Sequence, residues 1–100
     1  MTSRLNNDES PARLLLRLFV SGASLRSMRA IAVVRKLCDA KAVEGYNLEV
    51  IDIYLNPAAA RENQIVALPA LLKLAPMPRR LFIGDMSDTA LLAAGLGLMS

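Results

Sequence analysis

The chain has 100 residues, which is enough for one small domain with a single hydrophobic core. Its hydrophobic fraction is 54% but its aromatic fraction is only 4%, so the core must be mainly aliphatic. The net charge is +3, and most of the cations are arginines. This charge is small for a nucleic-acid-binding protein, whereas arginine is well suited to bind carboxylates on a protein partner. We therefore expect a protein partner and no nucleic acid.

Two absences narrow the chemistry further. The chain has no histidine, which removes the commonest general base and metal ligand, and its single Cys38 forbids an internal disulfide or a cysteine-based zinc site. No apolar run reaches the roughly 18 residues of a membrane span, and the polar N-terminus does not resemble a secretion signal. We expect a cytoplasmic protein without membrane contact, with a flexible tail over residues 1–12 and one domain over 13–100.

The first strong element is a strand over Arg13–Val20, with apolar residues on both faces, as expected of a buried central strand. Ser24 is a suitable N-cap for a helix from Leu25 to about Ala42. The helical period predicts a buried stripe on that helix, formed by Met28, Ile31, Val34, Leu37 and Cys38.

A turn at residues 45–47 precedes a second strand, predicted over Leu48–Tyr54 from its β-branched and aromatic residues. The strand, helix and strand form a βαβ unit, so the two strands should be parallel with a right-handed crossover. A second helix is predicted to begin at Pro57, with Ile65 and Val66 turning inward at its end.

Two further strands, Ala70–Leu74 and Arg80–Ile83, precede a last helix capped by Ser87 or Asp88. The order βαβαββα predicts an α/β protein with a thioredoxin-like fold. Leucines 71, 72 and 74 are better helix formers than strand formers, so local preference and predicted structure conflict in the third strand.

The chemistry of a thioredoxin is missing from its expected place. Thioredoxins carry a Cys-x-x-Cys pair in the first βα loop, where this chain has Ser21-Gly22-Ala23-Ser24. Cys38 lies on the apolar stripe of the first helix and is interpreted as core. Pro69 stands where this fold holds a cis proline, although an ordinary trans proline is also compatible with the sequence.

Other polar groups are better explained by structure than by catalysis. The acidic residues that follow Gly84 are typical of a turn and a helix cap, and Gly95 and Gly97 lack the frame of a phosphate loop. We predict no catalytic, cofactor-binding or metal-binding residues, and therefore no enzyme.

Six short segments, in order and at matching spacing, resemble the KaiB family of circadian-clock proteins over roughly residues 13–98. They are Leu18-Phe19-Val20-Ser21-Gly22, Ser27-Met28-Arg29-Ala30, Val50-Ile51-Asp52-Ile53, Asn56-Pro57, Ala67-Leu68-Pro69-Ala70-Leu71 and Ile83-Gly84-Asp85-Met86-Ser87-Asp88.

The resemblance implies a regulatory protein that is not an enzyme. Members of this family bind the ring of the ATPase KaiC, compete there with the thioredoxin-like domain of the sensor kinase SasA, and pass signals to output proteins. They are also metamorphic: a thioredoxin-like monomer binds the ring, and an alternative fold of order βαββααβ assembles as a tetramer.

The resemblance assigns partner contacts to Arg29, Lys73 and Arg80, and fold-switch roles to Pro69, Gly95 and Gly97. The acidic C-terminal extension of clock relatives is missing from this sequence, so we expect the thioredoxin-like state. Poor helix formers in Gly95-Leu96-Gly97-Leu98 agree with a last helix that is easily remade as strand.

Two other functions stay open at this point. The chain could be a stress-response or signalling interaction module with no clock role, which would bind another protein in place of the ATPase. A thiol oxidoreductase would need Cys38 as its only thiol, and the serine loop disfavours it.

Overall fold

A computed structural model of the chain describes residues 13–84 and 86–98. Its elements follow the predicted order βαβαββα. They are β1 (Leu14–Val20), α1 (Leu25–Lys41), β2 (Tyr46–Asp52), α2 (Ala58–Glu62), β3 (Ala70–Ala75), β4 (Arg80–Ile83) and α3 (Thr89–Leu96).

The four strands form one sheet in the order β2-β1-β3-β4. β1 pairs parallel with β2, with Leu16 opposite Leu48, and antiparallel with β3, with Leu18 opposite Leu71. β4 continues the sheet antiparallel to β3. The predicted central position of the first strand is therefore confirmed, and the chain forms the expected parallel βαβ unit.

The two faces of the sheet are covered unequally. α1 and α3 cover one face, where alternate β1 side chains meet Val34, Leu71 and Leu96 in the larger core. Within the described residues, the other face carries only the short α2 and the segment that ends in Ile65. Large apolar side chains remain exposed on that second face, namely Leu15, Leu81 and Ile83.

The buried stripe of α1 differs from the prediction. Val34, Leu37 and Cys38 are buried as expected, but Met28 is 55% exposed and Ser27 and Ala30 take the inner positions. Small side chains let the start of the helix lie close to the sheet, and the hydroxyl of Ser27 is satisfied there by local hydrogen bonds. The prediction was therefore wrong about which residues in this turn of the helix are buried, because it considered only their apolar character.

Two other boundaries move for reasons that lie in single residues. β2 begins two residues before the predicted start, because Gly45 (φ 94°) ends the turn and its carbonyl accepts from the Leu14 N–H. α2 ends at Glu62, since Gln64 adopts a left-handed φ of 58°. Ile65 is buried as predicted, whereas Val66 is 91% exposed and does not turn inward.

The last helix begins at a predicted cap and continues through Gly95 to Leu96. Asp88 is its N-cap, and the carboxylate accepts from the Leu91 N–H at 3.0 Å. Gly97 ends it in the left-handed conformation at φ 76°, a position that favours glycine. Of the two predicted caps, the structure selects Asp88.

Candidate partner-binding surface

The sheet brings two of the three predicted contact residues together. Lys73 of β3 is directly opposite Arg80 of β4 in the antiparallel register, so both side chains point toward the face covered by α1 and α3. Arg80 is exposed at the sheet edge, and its guanidinium lies 6.0 Å from the centroid of the Phe82 ring. Arg80 is therefore available to a carboxylate on a partner.

Lys73 is in a very different environment from its neighbour. It is 5% exposed, and its other strand neighbour is the buried Leu16. The one ion pair among residues 13–84 and 86–98 joins Arg17 to Glu49 and does not involve it. A lysine with so little exposure is unfavourable unless its ammonium group reaches water or a partner.

Arg29 lies apart from this pair. It is exposed in the second turn of α1, which begins beside the carboxyl end of β1. Lys73 pairs with Leu16 nearer the amino end of β1, where α1 finishes. The three predicted contacts therefore occupy two places on the molecule and do not form one cluster.

Phe82 links Arg80 to one of the predicted switch positions. A Cβ placed on Gly95 would overlap the Phe82 ring at Cε2 and Cζ, so only glycine lets α3 lie this close to β4. The contact joins the last helix to the edge strand. Gly97, in contrast, has open space around its Cα, and its requirement for glycine is conformational.

Pro69 is the third predicted switch position and lies immediately before β3. The Leu68–Pro69 peptide bond is cis, and the Pro69 carbonyl accepts from the Gly84 N–H at 3.0 Å. This hydrogen bond closes the end of the β3–β4 pair. Of the two isomers compatible with the sequence, the structure has the one typical of thioredoxin-like folds.

The first βα loop is filled by a hydroxyl network. The Ser24 Oγ donates to the Ser27 Oγ at 2.8 Å, and the Ser27 Oγ accepts from the Ser21 N–H at 3.1 Å. The carboxylate of Asp52 accepts from the Gly22 N–H at 3.0 Å and from the Tyr54 N–H at 2.9 Å. Backbone groups in this loop are thus satisfied by side chains of the protein itself.

Cys38 is a core residue, as predicted. Its side chain is 1% exposed, and burial, aided by the nearby Asp39 carboxylate, raises the pKa of the thiol from 9.0 to about 11. The Tyr46 hydroxyl donates to Asp39 at 2.6 Å, which raises the pKa of that phenol. A neutral, enclosed thiol is a poor nucleophile at neutral pH.

Sequence reasoning missed a polar cluster on the less covered face. Arg17 donates from Nε to Glu49 at 3.1 Å and from Nη1 to Asn63 at 3.1 Å, so it joins β1, β2 and the end of α2. Beside it, a hollow of about 480 Å³ is bordered by Asn63, Gln64 and Leu81. The alternation along β1 places Arg17 on this face, but nothing local in the sequence pairs it with residue 63.

The class of protein follows from these features: a thioredoxin-like domain that has a serine loop in place of the thiol pair. Among residues 13–84 and 86–98, no helix is both long and apolar enough to cross a membrane, and no acidic or cysteine cluster could hold a metal ion.

The family follows from comparison with known sequences. The model of the KaiB domain matches residues 17–98, and the chain therefore belongs to the KaiB family. It is 39% identical over 87 residues to the circadian clock protein KaiB3 of Synechocystis, covering 87% of this chain and 85% of that protein. It is 40% identical over 85 residues to the circadian clock oscillator protein KaiB of Parasynechococcus marenigrum, covering 85% and 82%.

Solved structures agree with the fold. The N-terminal domain of SasA from Synechococcus elongatus superimposes with a TM-score of 0.73 at 26% identity, covering 99% of this chain and 97% of that one. A thioredoxin of Fasciola hepatica superimposes with a TM-score of 0.68 at 18% identity, covering 92% and 86%. The predicted family and fold class are thus both confirmed, and the chain is related to clock regulators.

Proposed function

We propose that this chain is a non-enzymatic regulatory protein that binds a KaiC-type ATPase ring in the thioredoxin-like state. The observation that carries the proposal is the full-length likeness of this KaiB-family chain to the SasA N-terminal domain. A shared fold supports a shared kind of partner, as the family resemblance implies. The exposed Arg80 beside Phe82 offers that partner a cation held by an aromatic ring.

The serine loop and the buried Cys38 support a binding role over a redox role. Residues 21–24 contain no thiol, and Cys38 is fourteen residues beyond Ser24 along α1, which is about 21 Å of helix. A disulfide exchange reaction needs an accessible thiolate with a low pKa, whereas burial raises the pKa of this thiol. We therefore assign no catalytic step to the chain.

The proposal is tested by co-migration in size-exclusion chromatography. The purified chain is mixed with the KaiC-type ATPase of the same cell and ATP, and a complex is expected. Arg80→Glu should weaken it at least about tenfold, since a reversed charge repels a carboxylate. Arg61→Glu, an equal charge change on the exposed surface of α2, should leave it intact. No co-migration with any such ATPase of that cell would contradict the proposal.

We further propose that the chain can change fold, with Pro69, Gly95 and Gly97 at the positions of change. The helix-forming leucines of β3 and the buried Lys73 both destabilise the observed strand. They therefore reduce the difference in free energy between the observed fold and an alternative fold of the same chain. Backbone chemical shifts of residues 70–75 test this. A second set of helical shifts in slow exchange would support it, and one set of strand shifts under all conditions would oppose it.

A pull-down experiment distinguishes the proposed function from the alternative, an interaction module with no clock role. A pull-down from the source cell that returns a different protein and never the ATPase would favour it.

We expect the thioredoxin-like fold to be a monomer and the alternative fold to be a tetramer. Sedimentation distinguishes the two.

A further inference from the structure

A groove of about 640 Å³ runs between α1 and α3, on the helical face of the molecule. Its floor is apolar and buried, with Leu37 from α1 and Ala93 from α3. Its rim on the α3 side is formed by Ala90, Leu91 and Ala94, all exposed. The groove is therefore a concave apolar strip between two helices.

The helix that borders this groove has no charged side chain. From Thr89 to Leu98 the chain is entirely uncharged, although α3 is on the surface. Its inner side is buried through Leu92 and Leu96, yet Leu91 on the outer side is 66% exposed. A helix that is apolar on all sides is expected to be covered on all sides. The outer side of α3 is thus left uncovered by the part of the chain that the structure describes.

The helix on the opposite side of the groove, α1, has a net positive charge. α1 carries five cations and one acidic residue, namely Arg26, Arg29, Arg35, Lys36 and Lys41 against Asp39. Lys41 lines the groove itself. Asp88 is the acidic group lining it among the described residues, and its carboxylate already accepts from a backbone N–H of α3. Among residues 13–84 and 86–98 the ion pair lies on the other face of the sheet, so within that part of the chain the α1 cations form no ion pair.

We infer that this groove binds an acidic amphipathic helix of a protein partner. Leucine-type residues of that helix would fill the apolar strip, as helices commonly dock in grooves, and its carboxylates would face Lys41 and the basic side of α1. The lining of the groove does not include Arg29, Lys73 or Arg80, so the inference does not depend on ring binding.

Two other occupants fit the same features less well. A second copy of this chain, related by a two-fold axis, would bring the cations of α1 against one another, which disfavours association. An anionic membrane would also attract the cations, but a groove with a buried floor suits a rod-shaped ligand better than a flat surface. Charge and shape together therefore favour a separate acidic helix.

The inference is tested with a synthetic peptide of about 18 residues, roughly five helical turns, with leucines at helical spacing and glutamates on the flanks. Fluorescence anisotropy should show binding that weakens as salt rises from about 50 mM to about 500 mM, because salt screens the charge contacts. Leu91→Glu and Lys41→Glu should each weaken binding by at least about tenfold.

Matched variants make the test specific to the groove. Leu55→Glu changes another exposed leucine, and Arg61→Glu reverses an exposed charge on α2, so neither should alter the affinity. A peptide with lysine in place of glutamate should not bind. Absence of binding to the acidic peptide, equal loss in all four variants, or a dimer that Leu91→Glu disrupts would overturn the inference. Binding to phosphatidylserine vesicles in preference to the peptide would overturn it too.

Discussion

The two halves of this domain are built from the same kinds of element but are specified in different ways. β1, α1 and β2 have seven, seventeen and seven residues, whereas β3, β4 and α3 have six, four and eight. In the first half, α1 and the strand β2 agree with their local preferences, although β1 contains four leucines as well. In the second half, leucines of helical preference form a strand, a lysine is buried, and a glycine in a helix admits an aromatic ring. The difference teaches that tertiary contacts, more than local sequence, hold the second half in its present form.

The largest expected effect tests whether the two halves are energetically separate. Leu18 is fully buried in β1, which pairs with β2 on one side and β3 on the other. Leu18→Ala should lower the free energy of unfolding by about 2–5 kcal/mol. Because β1 joins the halves, urea unfolding followed by circular dichroism and by amide NMR signals should show one shared transition. Loss of signals from one half alone would show that the halves unfold independently.

The next effect addresses the contact that holds the last helix. Gly95→Ala should destabilise the observed fold by about 1–3 kcal/mol, because the new methyl group overlaps the Phe82 ring. Phe82→Leu in the same chain should recover part of that loss, and a double-mutant cycle in urea measures the recovery. Gly97→Ala is the control: it meets no atom, so it should cost only about 1 kcal/mol through its left-handed conformation, with no coupling to Phe82.

A comparable effect in the first half depends on pH. The Cys38 pKa is raised to about 11, so between pH 9 and 11 the unfolded chain releases this proton while the folded chain retains it. The free energy of unfolding should therefore be unaffected by this group below pH 9 and fall by up to about 2–3 kcal/mol as pH rises to 11.

The same loss should be absent from Cys38→Ala when both proteins are unfolded in urea at pH 8 and pH 11. The comparison is needed because the raised pKa of Tyr46 acts in the same direction in both proteins. Equal alkaline losses in the two proteins would show that the thiol is not the group responsible.

The smallest expected effect is a gain in stability from a substitution in the second half of the domain. Lys73→Met keeps the length of the buried side chain and removes its charge, so it should stabilise the observed fold by about 1 kcal/mol. Thermal unfolding measures the gain, and Lys36→Met on exposed α1 should show little change. A loss of stability in Lys73→Met would mean that the ammonium group is well solvated or paired in the folded state.

Much of the fold could be predicted because its signals are local. Ser24 and Asp88 are typical N-cap residues and mark where two helices begin. β1 has apolar residues on both faces, which predicts a position inside the sheet and not at its edge. What could not be predicted depends on contacts distant in sequence. Ser27 replaces Met28 inside because of how closely α1 approaches the sheet, and Gln64 ends α2 through a backbone angle that glutamine rarely adopts.

The candidate surface shows the same division. The sequence indicated cations for a protein partner, and the resemblance named three of them, but only the register of β3 and β4 shows that Lys73 and Arg80 are neighbours. The position of Arg29 at the other end of the molecule follows from the direction of α1. The groove beside α3 could not be predicted, because the sequence of this uncharged helix does not show which of its sides is exposed.

The serine loop has a consequence for the conditions under which this domain can work. Where a thioredoxin stores or releases two electrons, residues 21–27 hold hydroxyl groups bonded to one another and to the backbone. Oxidants and reductants that reset a dithiol find nothing to react with in that loop. This loop therefore cannot respond to the redox poise of the compartment through a dithiol, and what it presents to its surroundings is shape and charge.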